Sequence, residues 1–203
     1  MESFIANFVL FFAVIDPIGT VPVFIAVTKQ LTPKQKALTA VKAVIIAFFV
    51  LLFFAVAGEL IFTAINIPLS AFQIAGGIIL FLFALTMILG DGKPESEIKQ
   101  LESHHQTAAF PLAIPSIASP GAILAAVIMT DNSRFSIMEQ VGVILCMTSV
   151  LAITLLLLLC SGFLYRIIGS NGANITSRVM GIILASLAVT QVLTGISTYF
   201  KLQ

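Results

Sequence analysis

Apolar positions in this chain run in long unbroken blocks, not in the one-sided stripe of a soluble helix or the alternation of a half-buried strand. Six blocks reach the roughly 20 residues that a helix needs to cross a bilayer. They lie near residues 4–27, 40–65, 69–89, 108–129, 137–165 and 175–200. Asn66-Ile67-Pro68 makes a tight second connection, whereas 91–107 is polar and carries Asp91, Glu95, Glu97 and Glu102 against Lys93 and Lys99. The pattern predicts an all-α membrane protein of six transmembrane helices, forming a single transmembrane domain over residues 1–203.

Two blocks contain residues that a membrane helix normally excludes. In the first, Ala13-Val14-Ile15-Asp16-Pro17-Ile18-Gly19-Thr20-Val21-Pro22 places a carboxylate, two prolines and a glycine at mid-span. Proline removes a backbone donor and clashes with the preceding turn, so breaks are expected near Pro17 and Pro22. Asp16, disfavoured in the α region before a proline, is placed to cap a helix restarting at Ile18. A bilayer tolerates irregular backbone and a charge only where protein or a wet cavity surrounds them. In the fourth block, Pro111, Pro115, Pro120 and Gly121 interrupt the helix in the same manner, with Ser116, Ser119 and Ala122 between and beside them.

The halves also match each other. Gly77-Ile78-Ile79-Leu80 returns as Gly181-Ile182-Ile183-Leu184, and Ala84, Thr86 and Leu89 return at the same offset as Ala188, Thr190 and Leu193. Ile15-Asp16-Pro17-Ile18-Gly19-Thr20 overlays Ile114-Pro115-Ser116-Ile117-Ala118-Ser119. With three spans in each half, the second half enters the membrane in the opposite sense. The expected fold is thus a 3+3 inverted repeat, 1–90 and 108–203, joined by a cytoplasmic linker at 91–107, with helices one and four broken at mid-membrane.

Composition agrees: 59% of residues are hydrophobic and 9% charged, far from the quarter charged of a soluble domain. Connections one, three and five hold eight Lys and Arg residues (Lys29, Lys34, Lys36, Lys42, Lys93, Lys99, Arg166 and Arg178). The other side holds only Arg134 and Lys201, so both termini are expected outside the cytoplasm, in a multi-pass protein of the cell membrane. Nothing basic is clustered for nucleic acid. No cleaved signal peptide is expected ahead of the first span. Cys146 and Cys160 read as core thiols, and His104-His105 as a solvated pair without further metal ligands. No cofactor is implied.

An interrupted helix offers unpaired N–H groups where it restarts and unpaired carbonyls where it stops. Two such breaks facing each other suit a small zwitterion, with the hydroxyls of Thr20, Ser116 and Ser119 as donors or acceptors. The expected substrate-binding set is Asp16, Pro17, Gly19, Thr20, Pro22, Pro115, Ser116, Ser119, Pro120, Gly121 and Ala122. Glu59 reads as reaching the interface, Gln73, Gln191, Thr86 and Thr190 as interhelical hydrogen-bond partners, and Gly76, Gly77 and Gly181 as points of close helix approach. Thr148, Ser149 and Thr154 read as bonded back to their own helix.

At these residues the chain resembles the MarC family of membrane proteins. Asp16-Pro17-Ile18-Gly19-Thr20-Val21-Pro22-Val23-Phe24 is similar to its D-P-I-G-x-x-P-x-F signature. Pro111-Leu112-Ala113-Ile114-Pro115-Ser116-Ile117-Ala118-Ser119-Pro120-Gly121-Ala122 resembles its second signature, P-L-A-x-P-x-x-x-[GS]-P-G-A. The resemblance spans all six blocks and implies a six-span protein; some relatives are described as carriers of glycine- and alanine-like neutral amino acids, and the family has been grouped with LysE-type exporters. Together these point to a secondary transporter of a small neutral amino acid, with Asp16 as a helix cap or as an acid coupled to a proton or sodium ion. A channel, or a regulatory or structural membrane protein without transport, stays open, as does a homo-oligomer. An intramembrane hydrolase fits poorly, since Asp16 has no intramembrane Asp partner and no base lies near Ser116 or Ser119.

Overall fold

Small side chains point inward and large ones outward along the second apolar block. Ala40, Ala43, Ala47, Leu51 and Ala55 are buried, while Ile45, Phe49, Phe53, Val56 and Leu60 are exposed on the opposite face. That is the reverse of a soluble helix, and it is how a helix packs closely on neighbours while presenting hydrocarbon to lipid.

The computed structural model describes residues 2–64, 66–89, 112–132 and 135–201. Among them the regular structure is helical throughout: α1 (Glu2–Ile15), α2 (Pro17–Val27), α3 (Pro33–Ala64), α4 (Leu69–Leu89), one π turn (Leu112–Ile117), α5 (Pro120–Met129), α6 (Ile137–Leu159) and α7 (Ser161–Phe200). Five stretches among the described residues are long and apolar enough to cross a bilayer: Phe4–Val27, Pro33–Gly58, Ser70–Leu89, Ile137–Leu159 and Asn171–Phe200. The first combines α1 and α2, and 72% of its most apolar part is buried, against 22–39% in the other four. The broken helix is therefore the axis of the molecule, and the continuous helices surround it.

Several expected boundaries move. The fourth block, expected to span 108–129, contributes the π turn and α5; residues 108–111, including Pro111, lie outside the described residues. Ten residues of α5 rise only about 15 Å, half a bilayer. Pro115 and Pro120 account for this, because a helix cannot run through both. Block two starts early, at Pro33, because Thr32 and Gln35 cap it: the Thr32 amide and hydroxyl both donate to Gln35 Oε1 at 2.9 Å. Block five ends at Leu159, and a new helix starts at Ser161, where a loop was expected after 165. That helix bends at Gly169, whose φ of 65° and ψ of −178° belong to glycine alone. The linker at 91–107, with His104 and His105, and the Glu59 side chain lie outside what is described.

The largest helix–helix contact is between α4 and α7. A Cβ added at Gly77 would meet the Ala188 carbonyl oxygen at 2.9 Å, and one added at Gly181 would meet the Ala84 carbonyl oxygen at 3.2 Å. Each of these two glycines thus lets the other helix's backbone approach, as expected, whereas the space at Gly76 is taken by the Leu124 side chain of α5. Gln73 Nε2 donates to Gln191 Oε1 at 3.1 Å across the pair. Thr86 and Thr190 do not join it: their hydroxyls donate to Phe83 O and Ser186 O of their own helices. Both hydroxyls are exposed at the helix surface, where no partner helix offers an acceptor. Thr148, Ser149 and Thr154 do bond back, at 2.7–2.8 Å. Cys146 is buried, but Cys160 is exposed, because it sits at the junction of α6 and α7 rather than inside a span.

Candidate functional site

Asp16 takes the left-handed conformation (φ 47°, ψ 68°) that stops α1 and lets α2 begin at Pro17, one residue before the expected restart. Proline at the first helical position loses nothing, since that amide would have had no partner. The Asp16 carboxylate is almost fully buried and uses both oxygens: Oδ1 accepts the Gly19 N–H at 3.0 Å and Oδ2 accepts the Ser177 hydroxyl at 2.6 Å. A Cβ at Gly19 would collide with both Asp16 Oδ2 and Ser177 Oγ. Thr20 turns its hydroxyl back to the Asp16 carbonyl at 2.9 Å. Pro22, expected to break the chain again, is carried inside α2, which continues to Val27.

The second break repeats this chemistry with a neutral cap. The chain is extended at Ile114 (φ −136°, ψ 120°), makes the π turn, and restarts at Pro120. Ser119 Oγ accepts the Ala122 N–H at 3.2 Å and donates to Val14 O, the last turn of α1, at 2.9 Å. One hydroxyl therefore caps α5 and ties it to the first break. Gly121 allows this approach: a Cβ there would meet Leu80 at 2.7 Å and Val14 at 3.6 Å. Ser116, in the π turn, is fully buried, and among the described residues its hydroxyl has no hydrogen-bond partner.

Asp16-Pro17-Ile18-Gly19 and Ser119-Pro120-Gly121-Ala122 are thus the equivalent segments: cap, proline, free amide, capped amide. This pairing lies four residues along from the overlay of 15–20 on 114–119 expected from sequence. In each restart the proline has no amide and the cap takes the third. Ile18 and Gly121 remain as the first-turn donors that the caps do not use. Asp16, Pro17, Gly19, Thr20, Pro22, Ser116, Ser119, Gly121 and Ala122 are buried, while Pro115 and Pro120 are exposed.

Two polar residues at the core went unnoticed in sequence. Ser177 is fully buried and holds Asp16 from α7. Its signal was periodic: Ala173, Ser177, Gly181, Leu184 and Ala188 form one buried stripe. Asp131, at the far end of α5, is also buried, and its neighbour Thr130 donates to Ala55 O of α3 at 2.7 Å. About 15 Å of helix separates Asp131 from the cap of α5, so it lies well away from that break.

A bundle of apolar helices around a buried, broken one, with a carboxylate at the break, defines an integral membrane protein of helical type. The sequence profile described as MarC family integral membrane protein matches residues 1–200, and this chain belongs to that family. A UPF0056 membrane protein of Methanocaldococcus jannaschii is 38% identical over 199 residues, covering 97% of both chains. The UPF0056 membrane protein YvbG of Bacillus subtilis is 35% identical over 209 residues, covering 98% of this chain and 97% of its own. A further one, from Aquifex aeolicus, is 31% identical over 203 residues, covering 98% and 94%. No solved structure matches the chain.

Proposed function

We propose that this protein is a secondary transporter that moves a small neutral amino acid, of glycine or alanine size, between the two helix breaks. The observation that carries the reading is the pair of restarts, joined by the Ser119–Val14 hydrogen bond, with a buried Ser116 hydroxyl that has no partner among the described residues. Ile18 and Gly121 offer a carboxylate two amides at positive helix ends, and a buried hydroxyl left unpaired costs about 1–3 kcal/mol until a ligand satisfies it. Bulk argues for a small substrate, since Leu80 and Val14 crowd Gly121 at one break and the Asp16 and Ser177 side chains crowd Gly19 at the other.

In this reading the chain crosses the cell membrane six times as a 3+3 inverted repeat, with both termini outside the cytoplasm. The reciprocal contacts support the repeat: Gly77 on Ala188 and Gly181 on Ala84 exchange under the same offset that aligns the sequences. Alternating access then rocks one half against the other around the joined breaks, and Asp16 links that motion to a proton or sodium ion. The test is direct binding to purified protein of a panel of amino acids, with and without sodium and across pH. Saturable binding of glycine or alanine, with large and charged amino acids excluded, is expected. Equal indifference to the whole panel would remove the reading.

A further inference from the structure

At one end of the molecule a hollow of about 430 Å³ opens between the end of α2, the start of α3 and the α6–α7 junction. Its walls are apolar, from Phe24, Ile25 and Leu158, but two cations stand at it, Lys36 from α3 and Arg166 from α7. Among the described residues neither cation has a carboxylate or hydrogen-bond partner. Two lone cations facing one concavity repel each other unless an anion lies between them. Ser161 and Gly162 also line the hollow, in the first turn of a helix whose N-cap, Cys160, supplies no side-chain hydrogen bond. Because α6 ends at the same residue, its negative end offsets the positive end of α7, and the field in the hollow is that of the two side chains.

We propose that this hollow seats the phosphate headgroup of an anionic phospholipid. A phosphate offers acceptors for the Arg166 fork and the Lys36 ammonium together, with the Ser161 hydroxyl on the same wall. The surroundings favour a lipid over a dissolved anion. Leu159, Phe163 and Ile167, beside the hollow on α6 and α7, are 48%, 72% and 66% exposed and would lie along the acyl chains. Basic pockets between membrane helices at the bilayer surface bind such headgroups in general. The seat touches the far end of α2, about 12 Å along the helix from Asp16, so an occupied site would hold that end of the helix rather than the break itself. Neither the direction nor the substrate of transport enters this inference.

The experiment is a thermal unfolding titration of the purified full-length protein in neutral detergent. The additives are phosphatidylglycerol, phosphatidylcholine and inorganic phosphate, each separately. Phosphatidylglycerol should raise the midpoint saturably, phosphatidylcholine should not, and inorganic phosphate should give under a tenth of the effect. Lys36→Gln with Arg166→Gln should weaken the apparent affinity for phosphatidylglycerol about thirtyfold, about fivefold for each charge. Lys29→Gln with Lys34→Gln, two exposed lysines outside the hollow, should leave it within twofold. If the first double variant does not fold, the two single variants carry the same test. Equal response to phosphatidylcholine, or unchanged affinity after loss of both cations, would overturn the proposal. A full response to inorganic phosphate would make this a soluble-anion site and overturn the lipid.

Discussion

Gly19 lacks a side chain because two others already occupy its space. The Asp16 carboxylate and the Ser177 hydroxyl meet where its Cβ would stand, so cap, glycine and serine form one interlocked unit. Gly19→Ala should cost about 1–3 kcal/mol by overpacking. Ser177→Ala should cost about 1.5–3 kcal/mol by removing a donor from a buried carboxylate. Because the second change clears room for the first, the double variant should fall short of the sum by at least about 0.5 kcal/mol in detergent unfolding. Strict additivity would mean that the three groups do not act together. Asp16→Asn separates capping from coupling. The amide keeps an acceptor for the Gly19 N–H, so stability should drop by only about 1 kcal/mol. Gradient-driven accumulation in proteoliposomes should nevertheless fall more than tenfold while exchange of substrate down its own gradient survives, since an amide can neither take up a proton nor replace a charged ligand. Undiminished driven uptake would leave Asp16 a structural cap.

At the level of helices, the glycines divide by what surrounds them. Gly77 and Gly181 sit under the backbone of the opposite helix, whereas Gly142 on α6 has nothing within 4 Å of an added Cβ. Gly77→Val and Gly181→Val should each lower thermal stability by a similar amount, because the two contacts mirror one another. Gly142→Ala should raise it by about 0.5–1 kcal/mol through helix propensity. A Gly181→Val variant as stable as the parent would show that α4 and α7 are not held by close approach. The two breaks were legible in sequence because their chemistry is local: an Asp or Ser cap, a proline next to it and a small residue two further on. Their mutual register was not. The overlay keyed on shared isoleucines and missed by four residues, about one turn, which is the ambiguity a helix allows. Ser177 was hidden for another reason, since its partner lies 161 residues away and no local pattern encodes that distance. The bend at Gly169 was hidden too, because hydropathy reports burial in lipid and not backbone direction.

Across the whole molecule, the proposed orientation rests on the distribution of cations. In the proposed six-span topology, eight Lys and Arg residues fall on one side and two on the other, so a reporter fused after Gln203 should behave as exported. An active cytoplasmic reporter there would reverse the molecule and exchange its two mouths. Residues 4–27 are the most buried of the apolar stretches, so in the proposed reading a substrate passing the joined breaks would cross near the centre of the bundle rather than along a lipid-facing groove. Such a path is open to one side at a time only if the breaks move relative to each other, and that distinguishes a carrier from a pore. The most direct measurement is counterflow. Proteoliposomes loaded with unlabelled alanine should take up external labelled alanine transiently above equilibrium, saturably, and with competition by glycine. Uptake that matches protein-free liposomes, or that rises linearly with concentration and never overshoots, would contradict a carrier built on these two breaks.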